Sequence, residues 1–375
     1  MNGDAVLLTT TSGATPITTN VASACTSIVA SGTYTGTLTF TSTLTVAGTV
    51  TFVAGMTIAG TADLICNTTA TLTSGGKTLT GGLQLKGTSQ TYTLADNWSV
   101  TGTLTLSGTT AITITANTLN VAGSLTVTTG TSGTTTINLN GTGTWSGAAV
   151  LSNSLTINTT GTITVSGTVI YTSGTITYTT GTVTTTGSTL RLNGSCTLNT
   201  NGITWNLCNL TGGGAATVTI TSDLTFSSTV TVTNQTIING AFNVNIGGGL
   251  TITTALIGTA TIILNGTGTW SGTSTNFISN NLTINTAGTI TISGTVYYRT
   301  GTFTYTAGTV VTTGSTFDVQ GTVTTCILNL NGISWNNVTF NSPSNNITIT
   351  LTSDMDINGT LTIGATTLGH TINGG

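Results

Sequence analysis

Few residues in this chain have the means to do chemistry. The acids are Asp4, Asp63, Asp96, Asp223, Asp318, Asp354 and Asp356, with no Glu. The bases are Lys77, Lys86, Arg191 and Arg299, and His370 is the single histidine. Polysaccharide cleavage on a β-helix needs clustered Asp beside Lys or Arg, and these residues are spread along the whole chain. Asp354 and Asp356 share a strand face by their spacing of two, yet Asp354 lies in LTSDMDI, which aligns with ITSDLTF at Asp223 and TLADNWS at Asp96. An acid that recurs once per repeat at a turn is expected to bond turn backbone rather than substrate. No Ser-His-Asp set or metal cluster assembles around His370. NGTGTWSG lacks the Lys of a phosphate-binding loop. The expectation is therefore no catalytic residue, no metal, no cofactor and no enzyme activity.

Charge excludes a further class. Charged residues make up 3% of the chain and the formal net charge is −3, against about 25% charged residues in an ordinary globular protein. Nucleic-acid binding needs a basic surface, which four bases cannot supply. Cys25, Cys66, Cys196, Cys208 and Cys326 have no CxxC spacing. They read as small buried hydrophobes, with a Cys196–Cys208 disulfide between neighbouring coils as the alternative. Asn-x-Thr/Ser triplets, at Asn67, Asn158, Asn281 and Asn346, arise by chance in so Thr-rich a chain.

The elements holding these residues are repetitive. INLNGTGTWSG from Ile137 returns as IILNGTGTWSG from Ile262, and Leu155–Leu190 returns as Leu282–Phe317. Trp145 matches Trp270 at an offset of 125 (270 − 145), Trp205 matches Trp335 at 130, and Asp223 matches Asp354 at 131. A more worn copy lies upstream, where LTSGGKTLTGG aligns with LNTNGITWNLC and LNLNGISWNNV. The chain thus carries nearly three copies of a unit of about 127 residues, with the drift in offset absorbed by loops. The copies run over about 32–96, 97–223 and 224–354, with a partial remainder, so that 32–375 reads as one continuous solenoid. Residues 1–31, with Pro16, read as an irregular lead-in or cap.

Within the unit Thr alternates with Leu, Val, Ile or Phe in runs of four to six, punctuated by Gly, Ser-Gly or Asn-Gly. Period two puts the apolar side chains on one face and Thr on the other. β-Branched residues suit a pleated surface and disfavour helix. Glycines step by 21 (Gly102 to Gly123) and 20 (Gly141 to Gly161). The fold class expected is all-β: an elongated β-solenoid, or β-helix, with coils of about 20 residues inside the long repeat. About 17 coils at 4.7–4.9 Å would give a rod of roughly 80 Å. A β-sandwich array is the rival, disfavoured by uniformly short strands and the lack of linkers.

The Trp residues read first as core, because they keep the apolar register, and second as sugar-stacking platforms. A contiguous exposed stripe of Tyr171, Tyr178, Tyr297, Tyr298 and Tyr305 would favour glycan binding, and a flat Thr ladder would favour ice. The start, MNGDAVLLTT, has neither the basic residues nor the apolar run of a Sec signal, and no stretch is long enough to insert in a membrane.

TLADNWSVTGTLTL, TLNTNGITWNL and LNLNGISWNNVTF resemble the Thr/Gly-rich repeats of β-solenoid surface and fibre proteins, such as phage tail fibres and adhesin stalks. The resemblance runs from about residue 32 onward. It implies a β-helical shaft outside a cell or on a virion, self-associating end to end or as a homo-oligomer, with a cell-surface glycan as a further partner. It carries over no site residues.

Overall fold

The computed structural model describes residues 4–9, 14–212, 215–273, 276–320, 325–341, 347–364 and 370–374. The chain divides into two compact units, Met1–Ser188 and Thr189–Gly375. The described residues contain strands and no helix. Both units are parallel β-solenoids, with coils about 21 residues apart and about 16 turns in total.

A coil of the first unit is three short strands joined by tight corners. Trp98–Val100, Leu104–Ser107 and Ile112–Thr115 form one coil; Thr118–Val121, Leu125–Val127 and Thr131–Ser132 form the next. Parallel pairing normally needs a separate crossover connection. Here the rest of the coil is the crossover, so each strand meets its own successor in register.

Register stacks like on like. Leu44, Leu64, Leu83, Leu104, Leu125, Trp145 and Val165 form one column of the first unit, and all are buried. In the second unit Leu224, Val244, Ile262, Leu282, Phe303 and Leu328 do the same. Burying each such side chain contributes about 1.5–3 kcal/mol. Trp98, Trp145, Trp205, Trp270 and Trp335 are all buried. In the second unit Trp335 stacks on Phe317 at 4.4 Å, and Trp270 meets Phe303 edge-on at 5.7 Å.

Two expectations need correction. Residues 1–31 are not simply irregular: Ala5–Leu8, Ile17–Thr19, Ser23–Cys25 and Ser27–Ala30 are strands, and each pairs with a following one. Val6, Leu8, Ile28 and Ala30 carry the alternation there without the Thr that marks it elsewhere. Strands are also not uniformly short. Ser154–Ser166 and Leu282–Ser293 run 13 and 12 residues, and Thr175–Thr184 and Gly301–Val311 run 10 and 11. Bulges at Asn158 and Asn285 bend these strands around the corner, so no turn interrupts them. The buried Thr159 hydroxyl donates to the Gly141 carbonyl at 2.8 Å and accepts from the Gly161 N–H at 2.8 Å. Thr286 does the same with Gly266 and Gly288 at 2.7 and 2.8 Å.

Corners where coils touch backbone to backbone leave no room for a side chain. A Cβ at Gly266 would lie 1.8 Å from the Gly247 carbonyl oxygen. At Gly294 the backbone is left-handed (φ +68°) but nothing lies within 4 Å, so only the conformational penalty of roughly 1 kcal/mol applies to Ala. Gly266→Ala should therefore lower the chemical-denaturation midpoint of the protein clearly more than Gly294→Ala. Equal effects would show that the coil contact at Gly266 is not tight.

Candidate functional site

With so few charges, corner N–H groups are satisfied by neutral side chains reaching between coils. Asn97 Oδ1 accepts from Thr118 N–H at 2.9 Å, Ser124 Oγ from Thr144 N–H at 3.0 Å, and Asn281 Oδ1 from Thr302 N–H at 3.0 Å. The acids join this system. Asp63 Oδ1 accepts from Gly82 N–H at 3.0 Å, and Asp223 Oδ1 from Asn243 N–H at 2.9 Å. Asp96 reaches the other way, its two oxygens accepting from Ser74 and Gly75 N–H at 2.7 and 2.8 Å.

That difference corrects the alignment of Asp96 with Asp223. The part Asp96 plays is taken in the second unit by Ser222, which accepts from Thr200 and Asn201 N–H at 3.0 Å each, and by Ser353, which accepts from Leu330 and Asn331 N–H at 2.8 and 2.9 Å. The flanking backbone bonds agree: Ala95 to Leu72, Thr221 to Leu198 and Thr352 to Leu328. Asp96, Ser222 and Ser353 are thus equivalent, and so are Asn97, Asp223 and Asp354. Asp354 is exposed.

The tyrosines do not share a surface stripe. Tyr171 and Tyr298 are fully buried and donate to the carbonyls of Asn153 and Asn280, each at 3.1 Å. Strand parity explains this correction: Val169 and Val296 face the core, so Tyr171 and Tyr298, two residues on, face it too. Tyr178 and Tyr305 are half-buried and donate to Gly181 and Gly308 carbonyls at 2.6 Å. Tyr297 is half-buried on an outward position.

All five cysteines are free and buried, so no Cys196–Cys208 bridge exists. Burial pushes the Cys66, Cys196 and Cys326 thiols up to about 12, far from the thiolate form that reacts. His370 opens the strand His370–Gly374, paired with Ile347. Asn346 lies outside the described residues.

Two outward faces stand out. On the seven-stranded sheet of the first unit, Thr-x-Thr segments recur in register. Thr71 pairs with Thr93 and Thr93 with Thr115, while Thr91 pairs with Thr113 and Thr113 with Ser132. Some hydroxyls in this array bond each other, as Thr115 to Thr93 at 3.3 Å.

On the second unit, Phe277, Tyr297, Asp318 and Thr339 form an outward column. Beside it, Arg299 donates to Gln320 Oε1 at 3.3 Å and its guanidinium sits 3.3 Å from the Phe277 ring centre. Asp318 is 8% exposed. Its Oδ1 and the Nε of Arg299 are buried without a hydrogen-bond partner. The signal that would have found this cluster is its composition: two aromatics, an acid and an arginine on one face of a chain with eleven charges.

Comparison with protein-family models, curated proteins and solved structures finds no match.

Burial pushes the Asp318 carboxyl up to about 6, against a smaller opposing effect of the Gln320 hydrogen bond. Tyr297 below, Thr339 above and Gln320 alongside give it no cationic partner in its own column. The folded value lies above the ordinary carboxylate range near 3.9. The contribution to stability is therefore complete below about pH 4 and is lost as pH rises through about 6. The melting temperature of the second unit should fall over that window, and Asp318→Asn should flatten the fall. An unchanged slope in the variant would show that Asp318 does not control it.

Proposed function

We propose that this chain is a non-enzymatic structural protein, a β-solenoid shaft of an extracellular fibre, filament or virion appendage, self-associating through its own surface. The supporting observation is the way coils are joined. Apolar columns and neutral side-chain-to-backbone bonds hold successive coils, and ion pairs have almost no part to play with seven acids and four bases. The neutral joints are indifferent to salt screening and to pH, and the carboxylates of Asp63, Asp96 and Asp223 are the charged exceptions. That suits an element exposed to variable surroundings.

Electron microscopy and fibre diffraction of the purified native protein test this reading. Elongated particles or filaments with an axial reflection near 4.7–4.9 Å, and a melting temperature unmoved by molar salt, are expected. Compact particles without that reflection would overturn it.

The Thr-x-Thr array supports a second reading, a water-ordering face that binds ice. It presents methyl and hydroxyl groups in two in-register columns. Thr93→Tyr, at an exposed position in the middle of the array, should then abolish faceting of ice crystals grown in the protein's presence. Unshaped crystals with the unaltered protein would remove this reading and leave the shaft untouched.

A further inference from the structure

The repeat itself shows where its later copy differs from its earlier one. At an offset of 127 (297 − 170) the two copies agree at inward positions: Leu151 and Ile278, Tyr171 and Tyr298, Leu190 and Phe317, Leu192 and Val319 are apolar or aromatic and buried in both. They differ outward. Val150, Ile170, Thr172 and Arg191 in the earlier copy become Phe277, Tyr297, Arg299 and Asp318 in the later one. Packing gives no reason for these four changes, because outward side chains of a solenoid do not fill its core. They gather two aromatic rings, a guanidinium and a carboxylate on three successive coils.

The cluster is built at a cost. A buried polar atom without a partner is unfavourable by about 1–3 kcal/mol, and native proteins keep such atoms for a reason. Here there are two, one acceptor (Asp318 Oδ1) and one donor (Arg299 Nε). A ligand that completes both must offer a donor and an acceptor. A hydroxyl group offers both. A simple anion would meet the Asp318 carboxylate, and a simple cation would meet the Arg299 guanidinium, so formal neutrality is favoured. Tyr297, half-buried between Phe277 and Asp318, adds an amphipathic ring of the kind found where one side of a contact is apolar and the other wet. The Arg299 side chain covering Phe277 has a flexible stem, and its movement gives a ligand the ring beneath.

We propose that the outward face formed by Phe277, Tyr297, Arg299, Asp318 and Gln320 is a binding site for a neutral carbohydrate. A sugar ring packs against Tyr297. Its hydroxyls donate to Asp318 and accept from Arg299, with the Gln320 amide bridging the two side chains. Few polar groups placed beside an aromatic surface are what orient a small ligand in a protein site. The site does not depend on the shaft reading, since a solenoid of any role presents this face.

Titration calorimetry on the full chain tests the proposal, with cellohexaose, maltohexaose, mannohexaose and chitohexaose as neutral probes and a chondroitin hexasaccharide as the charged comparator. The informative variant is Tyr297→Ile with Arg299→Thr, which installs the residues carried by the earlier copy and so keeps a surface the fold already tolerates. Asp318→Asn is the second variant. At least one neutral hexasaccharide should bind with a Kd of about 1 mM or tighter, and both variants should weaken it at least tenfold. Three results would overturn the proposal: no binding by any neutral probe, equal binding by the double variant, or binding of the charged comparator alone.

Discussion

Everything in this protein depends on each coil finding its successor one strand spacing away and in the same register. Parallel pairing along the stack fixes which side chain lies over which, so an inward residue always packs on an inward residue. That is why a sequence with short strands and little charge still makes a continuous core in each unit. The columns from Leu44 to Val165 and from Leu224 to Leu328 are the direct consequence. The same constraint makes the corners demanding. There the chain leaves the ladder, and the freed N–H groups must be met by something the neighbouring coil provides. Asn, Ser and Thr side chains meet most of them, and Asp63, Asp96 and Asp223 serve as three more hydrogen-bond acceptors.

Much of this was legible in the sequence. Strict alternation of Thr with apolar residues gave the inward and outward faces, and the spacing of glycines gave a coil of nearly the observed length. What was not legible follows from geometry that spacing does not encode. The long strands through Asn158 and Asn285 look like two short runs divided by a Thr-Gly or an Ala-Gly turn; the pairing shifts there and the Thr159 and Thr286 hydroxyl bonds reveal a bulge. Asp96 and Asp223 match as letters, yet they bond coils on opposite sides, because a cap can reach to the preceding or the following coil. The alignment cannot distinguish those directions.

The tyrosines are a different case, in which the information was present and needed only to be counted. Tyr297 and Tyr298 are adjacent, so in a strand they must face opposite ways. Parity from Val296 assigns Tyr298 to the core and Tyr297 to the outside. Applied across the chain, the same count separates residues that carry the fold from residues that merely decorate it. It places Tyr171 with the former and Asp318 with the latter, although Asp318 is covered by its neighbours.

This separation explains how chemistry can be added to such a scaffold. In a globular enzyme an active-site change disturbs neighbours on every side. In a solenoid an outward position touches only the residues before and after it in its column and those beside it in the sheet. Two copies of the repeat can therefore hold the same inward pattern while only one carries Phe277, Tyr297, Arg299 and Asp318. The disturbance is confined to that face: two unsatisfied polar atoms, a carboxyl held well above its usual range, and a guanidinium lying on an aromatic ring. Local features of this kind set the face apart from the corners, where Asn, Ser, Thr and Asp side chains answer the N–H groups of neighbouring coils.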